Sequence, residues 1–286
     1  MARVAIVTDS TAYIPAREAE GLPITTIPLN LIWENETLRD GVDIQPSDFY
    51  TRLKDSKVIP TTSQPSPTAF KDVFEKLSAE GYEAILAVTL SSNLSGTMDS
   101  AIQAKNMLPD LSIALVDSLQ AAMGLGFPAL LAARAAREGA SLEECKQIAE
   151  QACARSKTYF AASTLEFLHR GGRIGGGAAF LGTALNLKPI LYLHDGRVEA
   201  FQKIRTMKKV RQRLVEILDS GLDESRRVRV AVLHANAPED AAVLLEMIKQ
   251  KLGAAAITEA FIAEVSPVIG AHTGPGTIGI SFLSGM

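Results

Sequence analysis

The chain has 286 residues, of which 47% are hydrophobic and 21% are charged, and its formal net charge is −3. This is the composition of a globular protein, and the length suggests two domains. The charge argues against a nucleic-acid partner, and the longest apolar run, Ala121–Ala133, is too short for stable membrane insertion as a spanning helix.

The first half of the chain alternates short apolar runs with longer helical patterns. Continuous apolar strands between helices predict a parallel sheet that helices cover on both faces. We therefore expect an α/β class fold that begins with an α/β/α layer domain at residues 1–157, with ligands at the carboxyl ends of its strands. The predicted strands are Val4–Asp9, Ala84–Leu90 and Ser112–Ser118, and the predicted helices are Pro46–Ser56, Ser66–Gly81, Asn93–Leu108, Leu119–Gly139 and Ser141–Ser156.

The second half, residues 158–286, shows a different pattern. Leu187–Ile204 holds two strand runs joined by His194, Asp195 and Gly196, and Asp-Gly is a strong hairpin signal. Two further runs alternate, RRVRVAVLHA fully and AAAITEAFIAE in part, and helices predicted at Met207–Ser220 and Pro238–Leu252 flank them. We expect a second α/β domain with an antiparallel or mixed sheet, and a boundary near residue 157.

Polar residues at strand ends and before helices are the first candidates for a binding site. Backbone N–H groups and hydroxyls at such places can bind an anion such as a carboxylate. Each cluster alone is most often a helix cap, so a binding site requires that the clusters converge. The three clusters are Thr8, Asp9, Ser10 and Thr11 after the first strand, Thr61, Thr62 and Ser63 on a proline-stiffened loop, and Ser91, Ser92, Asn93, Ser95 and Thr97 where a helix starts. Asp9, Ser10, Thr61, Ser63 and Gly96 are the expected supporting residues of the site.

A glycine-rich stretch, His169–Phe180, contains five glycines. Such a stretch can cradle a phosphate, act as a hinge or let the backbone approach a ligand closely. The nearest Walker-type frame runs from Gly177 to Gly182, and Thr183 stands where that motif requires lysine. We therefore expect no nucleotide at this loop.

The sequence contains no other catalytic or cofactor motif with the residues and the neighbouring elements that the motif requires. Two dinucleotide-type matches, Gly274–Gly279 and Gly124–Ala129, are not placed between a strand and a helix that starts directly after it. No serine stands in a G-x-S-x-G elbow, and the four histidines lack the spacing of metal ligands. Consequently, we expect no cofactor and no metal. Among the histidines, His272 precedes a Gly-Pro-Gly turn that would aim its imidazole at a fixed place.

Two further groups of residues carry weaker signals. Cys145 and Cys153 match neither a zinc pair nor a redox pair, which favours reduced thiols and a cytoplasmic location. The run Lys203–Arg213 has six basic residues in eleven. Most such runs are solvated helix faces, but together with Arg170 and Arg173 this run could bind a phosphate or an acidic partner.

Seven short motifs in one order resemble the DegV family of bacterial fatty-acid-binding proteins. The likeness extends nearly from end to end, and it implies two α/β domains with a long-chain fatty acid in a tunnel between them. It also implies a carrier, not catalytic alone, which presents the carboxylate to a separate ATP-binding fatty acid kinase subunit for acyl-phosphate formation in phospholipid metabolism. The motifs are VTDST, TTSQPSP, SSNLSGT, FLHRGGRIGGG, LNLKPIL, IRT and GAHTGPGTIGI.

The resemblance also implies roles for individual residues. The carboxylate ligands fall on Thr62, Ser95 and His272. The resemblance also implies that three arginines bind the phosphate or contact the kinase subunit, and these are Arg170, Arg173 and Arg205. One departure is Gly175, which stands where a serine is common in the family. The alternative hypothesis is a stand-alone enzyme for a small carboxylate or phosphorylated substrate, with His272 as acid or base.

Overall fold

The computed structural model describes residues 3–181 and 187–286. Gly182 and Thr183 of the excluded Walker-type frame, and the first two residues of the LNLKPIL motif, lie outside the described residues. The described chain forms thirteen strands and ten α-helices.

The strands are β1 (Val4–Asp9), β2 (Ile24–Ile27), β3 (Asn30–Trp33), β4 (Glu36–Arg39), β5 (Thr61–Ser63), β6 (Ala84–Thr89), β7 (Ser112–Asp117), β8 (Ser156–Ala161), β9 (Ile190–His194), β10 (Arg197–Gln202), β11 (Val228–His234), β12 (Ile257–Glu264) and β13 (Ile278–Ser284). The helices are α1 (Ala16–Ala19), α2 (Pro46–Asp55), α3 (Pro67–Ala79), α4 (Thr97–Asn106), α5 (Met123–Arg137), α6 (Leu142–Arg155), α7 (Glu166–Arg170), α8 (Met207–Ser220), α9 (Pro238–Leu252) and α10 (Pro267–Thr273).

The strands assemble into three sheets. A parallel sheet has the order β2-β1-β6-β7, a mixed sheet has the order β10-β9-β8-β13-β11-β12, and β4-β3-β5 form a small antiparallel sheet. In β1 and β6 every residue is buried, which explains their continuous apolar sequence. The predicted fold class, with a parallel sheet first and a mixed sheet second, is confirmed.

Several predicted elements match closely because their local signals are strong. Helix α3 follows the N-cap Ser66, whose side chain accepts from the Ala69 N–H, and α6 starts with a capping box between Ser141 and Glu144. The β9–β10 hairpin turns at Asp195 and Gly196, both with positive φ, as a two-residue Asp-Gly loop requires.

Other predictions need correction. The helix predicted from Leu119 begins at Met123, because Leu119 and Ala122 have φ near +50° and cannot continue a helix. No helix was predicted at His272, which lies in helix α10, whose N-cap Ser266 accepts from the Ile269 N–H. The sequence interpretation also omitted the short strands β2 to β5, and β8 and β13.

The domain boundary stays a prediction. Strand β8 of the mixed sheet begins at Ser156, one residue before the predicted end of the first domain. Apolar side chains from both halves pack in one cluster, in which the Phe127 and Phe261 ring centroids lie 5.8 Å apart. Within the described residues, no helix combines the length and the apolar character that crossing a bilayer would require.

Candidate functional site

A cavity lies between the parallel sheet and the mixed sheet. Its wall is largely apolar and takes residues from both halves of the chain. The apolar lining includes Leu29, Leu90, Ala121, Phe160, Leu168, Leu193, Val198, Leu233 and Val268.

One end of this cavity is polar. Thr62 Oγ1 of β5 lies 2.8 Å from His272 Nε2 of α10, across 210 residues of sequence. Ser95 lies in the loop that enters α4, and its Oγ is 2.9 Å from Thr97 Oγ1. Thr62, Ser95 and His272 all line the same cavity. The structure therefore brings together the three residues for which the resemblance implied carboxylate binding.

Local structure fixes the direction of these side chains. Thr62 is held by the pairing of β5 with β3, where it lies opposite Leu31. His272 occupies the last turn of α10, which Pro267 opens and Gly274, with φ +75°, ends. Two hydroxyls and an imidazole thus line one cavity from three different parts of the chain.

The electrostatics of this end favour an uncharged imidazole. Desolvation lowers the pKa of His272 to about 4, and the positive charge of Arg173 is the second cause. The buried Nδ1 atom of His272 has no hydrogen-bond partner within the described part of the chain. A neutral imidazole carries one N–H donor, so His272 can donate to an anion or to the Thr62 hydroxyl.

The glycine-rich stretch lies directly against this imidazole. A Cβ atom built on Gly171 would lie 2.2 Å from His272 Nδ1, so any other residue would displace the ring. Gly175 has φ +48°, and a Cβ there would lie 2.3 Å from the carbonyl oxygen of Val198. The chain between these glycines is thus packed closely against α10 at one end and strand β10 at the other.

The three predicted arginines lie in different environments. Arg173 lines the cavity, and its guanidinium donates to the carbonyl oxygens of Leu94 at 3.2 Å and Gly171 at 2.6 Å. Arg170 is exposed and pairs with Glu166 at 2.8 Å. Arg205 is exposed on the segment that leads into α8. Of the three, only Arg173 belongs to the described cavity wall.

The predicted supporting residues are also divided. Ser63 lines the cavity, whereas Thr61 is exposed and Gly96 is the N-cap of α4. Asp9 and Ser10 are buried and bond within the chain. The two Asp9 carboxylate oxygens accept from Thr11 and from the Leu90 N–H, and Ser10 Oγ donates to Asp40 at 2.7 Å.

Sequence reasoning missed most of the cavity wall. Its apolar residues stand on strands and helices whose sequence does not distinguish a cavity wall from a packed core. Gln64 could have been found, since it follows the Thr61–Ser63 cluster directly. Thr11, of the predicted cluster after β1, also lines the cavity, and the remaining polar lining residues, which were not predicted, are Thr158, Thr273 and Thr277.

Metal binding has no candidate among residues 3–181 and 187–286, since no group of three or more His, Cys, Asp or Glu side chains there could hold an ion. Cys145 and Cys153 are both free thiols.

Comparison with known proteins gives consistent matches over the whole chain. Residues 3–285 match the family model described as "Uncharacterised protein, DegV family". A DegV domain-containing protein of Streptomyces coelicolor is 39% identical over 277 residues, which cover 97% of each chain. Two solved structures are similar at 35% identity: a DegV family protein from Thermus thermophilus described by its fatty acid binding (TM-score 0.91, 99% of both chains covered), and DegV from Bacillus subtilis, described as a fatty acid binding protein (TM-score 0.90, 100% of both chains).

Proposed function

Because this chain belongs to the DegV family, we propose that it binds a long-chain fatty acid in the cavity and holds the carboxylate at Thr62, Ser95 and His272. The observation that carries this proposal is the contact between Thr62 Oγ1 and His272 Nε2 at the polar end of an otherwise apolar cavity. The relatives described as fatty-acid-binding proteins support it.

Burial of the acyl chain supplies the binding energy in this proposal. About 14 buried methylenes at ~0.8 kcal/mol each give an upper figure of ~11 kcal/mol, before the cost of ordering the chain. A carboxylate cannot be buried without partners, since an unpaired buried charge costs several kcal/mol or more. Two hydroxyls, a neutral histidine and the nearby Arg173 guanidinium supply these partners without a metal ion.

The protein then acts as a carrier for a separate enzyme. We infer that an ATP-binding kinase subunit phosphorylates the bound carboxylate to an acyl phosphate, and that this chain is not catalytic alone. In this reaction a carboxylate oxygen attacks the γ-phosphorus of ATP and ADP leaves. We assign the contact with the transferred phosphoryl group to Arg173, which lines the cavity, and docking to Arg170 and Arg205, which are exposed. The fatty acid lies between two domains, at residues 1–157 and 158–286.

The experiment that tests binding is native mass spectrometry of gently purified protein, followed by titration of the delipidated protein with stearic acid. We expect a co-purifying mass of a long-chain acid. The absence of both lipid mass and stearic acid binding in folded protein would contradict the proposal. Turnover of a small carboxylate or phosphorylated substrate by the purified chain alone would instead favour the stand-alone enzyme.

A glycine variant tests the head-group geometry. Gly171→Ala has a permissible backbone angle but places its methyl group against His272 Nδ1, so we expect it to lose fatty acid affinity as His272→Ala does. Gly172→Ala is the matched control. At that position φ is +70° and no atom lies within 4 Å of an added Cβ, so stability should fall while affinity per folded protein is kept. Equal affinity of Gly171→Ala and wild type would contradict the proposed role of His272.

A further inference from the structure

The Ser95 hydroxyl has a buried hydroxyl beside it that lies outside the cavity wall. Ser95 Oγ is 2.9 Å from Oγ1 of Thr97, the first residue of α4. Ser95 lines the cavity, whereas Thr97 is fully buried and is not among the cavity-lining residues of the described chain. The Ser95 N–H donates to the Ser91 carbonyl oxygen at 3.2 Å, within the loop that enters α4. Thr97 can therefore influence a ligand in the cavity only through another residue, and Ser95 is its hydrogen-bond partner.

The burial of Thr97 constrains the direction of the hydrogen bond between these two hydroxyls. A hydroxyl carries one proton and can accept two hydrogen bonds. Among the described residues, Ser95 Oγ is the one hydrogen-bond partner of the Thr97 hydroxyl. If Ser95 were the donor, the Thr97 proton would be buried without an acceptor, and such unpaired donors are rare in native proteins. Donation from Thr97 to Ser95 avoids this unpaired group.

The direction of this bond decides which group Ser95 offers to the cavity. When Ser95 Oγ accepts from Thr97, the Ser95 proton is free to bond a ligand in the cavity that Ser95 lines. When the bond runs the other way, Ser95 offers only lone pairs to that ligand. A carboxylate is an acceptor and needs donors, so only the first direction attracts the proposed head group. A hydroxyl that itself accepts a hydrogen bond is also a stronger donor.

Two other residues with hydroxyls that line the cavity are bonded differently. Thr273 Oγ1 donates to the Ile269 carbonyl oxygen at 3.1 Å, and Thr277 Oγ1 donates to the carbonyl oxygens of Thr273 and Gly274, both at 3.0 Å. Carbonyl oxygens only accept, so the protons of these two threonines are used within the chain. Ser95 differs from both, because its partner is a hydroxyl that can itself supply the proton of their shared bond.

We propose that Thr97 is a positioning residue for the fatty acid head group, because its hydroxyl donates to Ser95 Oγ and thereby directs the Ser95 proton to the carboxylate. This inference rests on the proposed function and adds a residue that does not contact the ligand. The carboxylate accepts from Ser95 and Ser95 accepts from Thr97, so both hydroxyl protons have an acceptor. Loss of the Thr97 hydroxyl should therefore weaken binding of a carboxylate. It should not weaken binding of an alcohol, which can donate to Ser95 as well as accept from it.

The test compares stearic acid with octadecanol, which has the same chain length and an uncharged hydroxyl head group. Both are titrated into delipidated wild type, Thr97→Val, Thr97→Ser, Ser95→Ala and the double variant. We expect Thr97→Val to bind stearic acid about fivefold more weakly than wild type and octadecanol within about twofold, and Thr97→Ser to bind both like wild type. In the Ser95→Ala background, Thr97→Val should change stearic acid affinity by less than about twofold, because it acts through Ser95. The matched control is Thr89→Val, which removes the hydroxyl of an equally buried threonine outside the described cavity wall.

The affinity of wild type for stearic acid distinguishes failure of the proposed function from failure of this inference. If folded wild type does not bind stearic acid, the proposed function fails and this inference fails with it. If stearic acid binds but Thr97→Val stays within about twofold of wild type, the inference alone is overturned. It is also overturned if Thr97→Val weakens binding equally with and without the Ser95 hydroxyl, or if Thr89→Val has the same effect. Octadecanol binding shows that a variant has folded, and Thr97→Ala takes the place of Thr97→Val if the latter does not fold.

Discussion

Two groups of polar residues that the sequence marks as candidate ligands direct their hydrogen bonds differently in the structure. The Asp9–Ser10 cluster turns its hydrogen bonds inward. Asp9 accepts from the Thr11 N–H at 3.0 Å and the Leu90 N–H at 2.7 Å, and Ser10 Oγ accepts from the Leu29 N–H at 3.0 Å. These bonds tie the loops after β1 and β6 to each other.

The head-group cluster of Thr62, Ser95 and His272 turns toward the cavity instead. Its side chains contact one another or their neighbours, and His272 Nδ1 is left unpaired among the described residues. The comparison shows that a polar residue stabilises the fold when its oxygens accept hydrogen bonds from backbone N–H groups of the chain. A polar residue is available to bind a ligand when its polar atoms face a cavity. Stability and affinity should therefore respond to different substitutions.

The largest expected effect is on stability, at Asp9. Asp9→Ala leaves the buried N–H groups of Leu90 and Thr11 without their acceptor, and each unpaired group costs about 1–3 kcal/mol. We expect the free energy of unfolding in urea to fall by about 3 kcal/mol. The control is Asp55→Ala, on the exposed end of α2, which should change it by less than about 0.5 kcal/mol. Equal effects of the two substitutions would break the comparison.

The second effect is a pH dependence of stability that arises from Asp40, whose carboxyl group accepts a hydrogen bond from Ser10 Oγ. Burial raises the pKa of Asp40 from 3.8 to about 7, so the folded state keeps a proton that the unfolded state releases above about pH 4. The stability that this protonation contributes is lost as the pH rises through 7. Asp40→Asn cannot ionise. Between about pH 5 and pH 8, wild type should lose on the order of 2 kcal/mol relative to this variant in urea unfolding. Parallel pH profiles would contradict the assignment.

The third effect is on affinity, at Thr62. Thr62→Val removes a hydroxyl donor from the carboxylate and the partner of His272 Nε2. A hydrogen bond to a charged group contributes about 1.5–3 kcal/mol, so stearic acid affinity should fall at least about tenfold, while the free energy of unfolding changes by less than about 1 kcal/mol. Thr61→Val is the matched control, since Thr61 is the exposed neighbour on the same strand. Loss of affinity in the control but not in Thr62→Val would place the head group elsewhere.

Much of the scaffold could be predicted from the sequence because its signals are local. Buried runs such as Val4–Asp9 and the Ser66-Pro67 cap need only a few neighbouring residues to be recognised. Helix α10 has the same Ser-Pro start at Ser266, but it has seven residues and contains Gly270, so the helical pattern is too short to stand out. Strand β5 has three residues, none of them buried, and carries no apolar pattern at all.

Less of the site than of the scaffold could be predicted from short stretches of sequence. Thr62 and His272 meet across 210 residues, and no spacing rule predicts such a contact. The resemblance to a family supplied that pair. Thr158 of the cavity wall was missed because β8 was missed, and the direction of its side chain can be predicted only once the strand is known. Local patterns therefore predict elements, while convergence of side chains depends on the tertiary fold.

The smallest expected effect distinguishes the two arginines beside the glycine-rich stretch. Arg173 lines the cavity and lowers the pKa of His272, so Arg173→Ala should raise that pKa and reduce stearic acid affinity by a few fold. Arg170 is exposed and paired with Glu166, and Arg170→Ala should leave affinity within about twofold. NMR titration of His272 measures its pKa, and titration with stearic acid measures the affinity of both variants. Charge at Arg170 acts through solvent, where screening sets in over ~8–10 Å, so this substitution should weaken the proposed complex with a kinase most at low salt. If Arg170→Ala releases the lipid and Arg173→Ala does not, the roles of the two arginines are reversed.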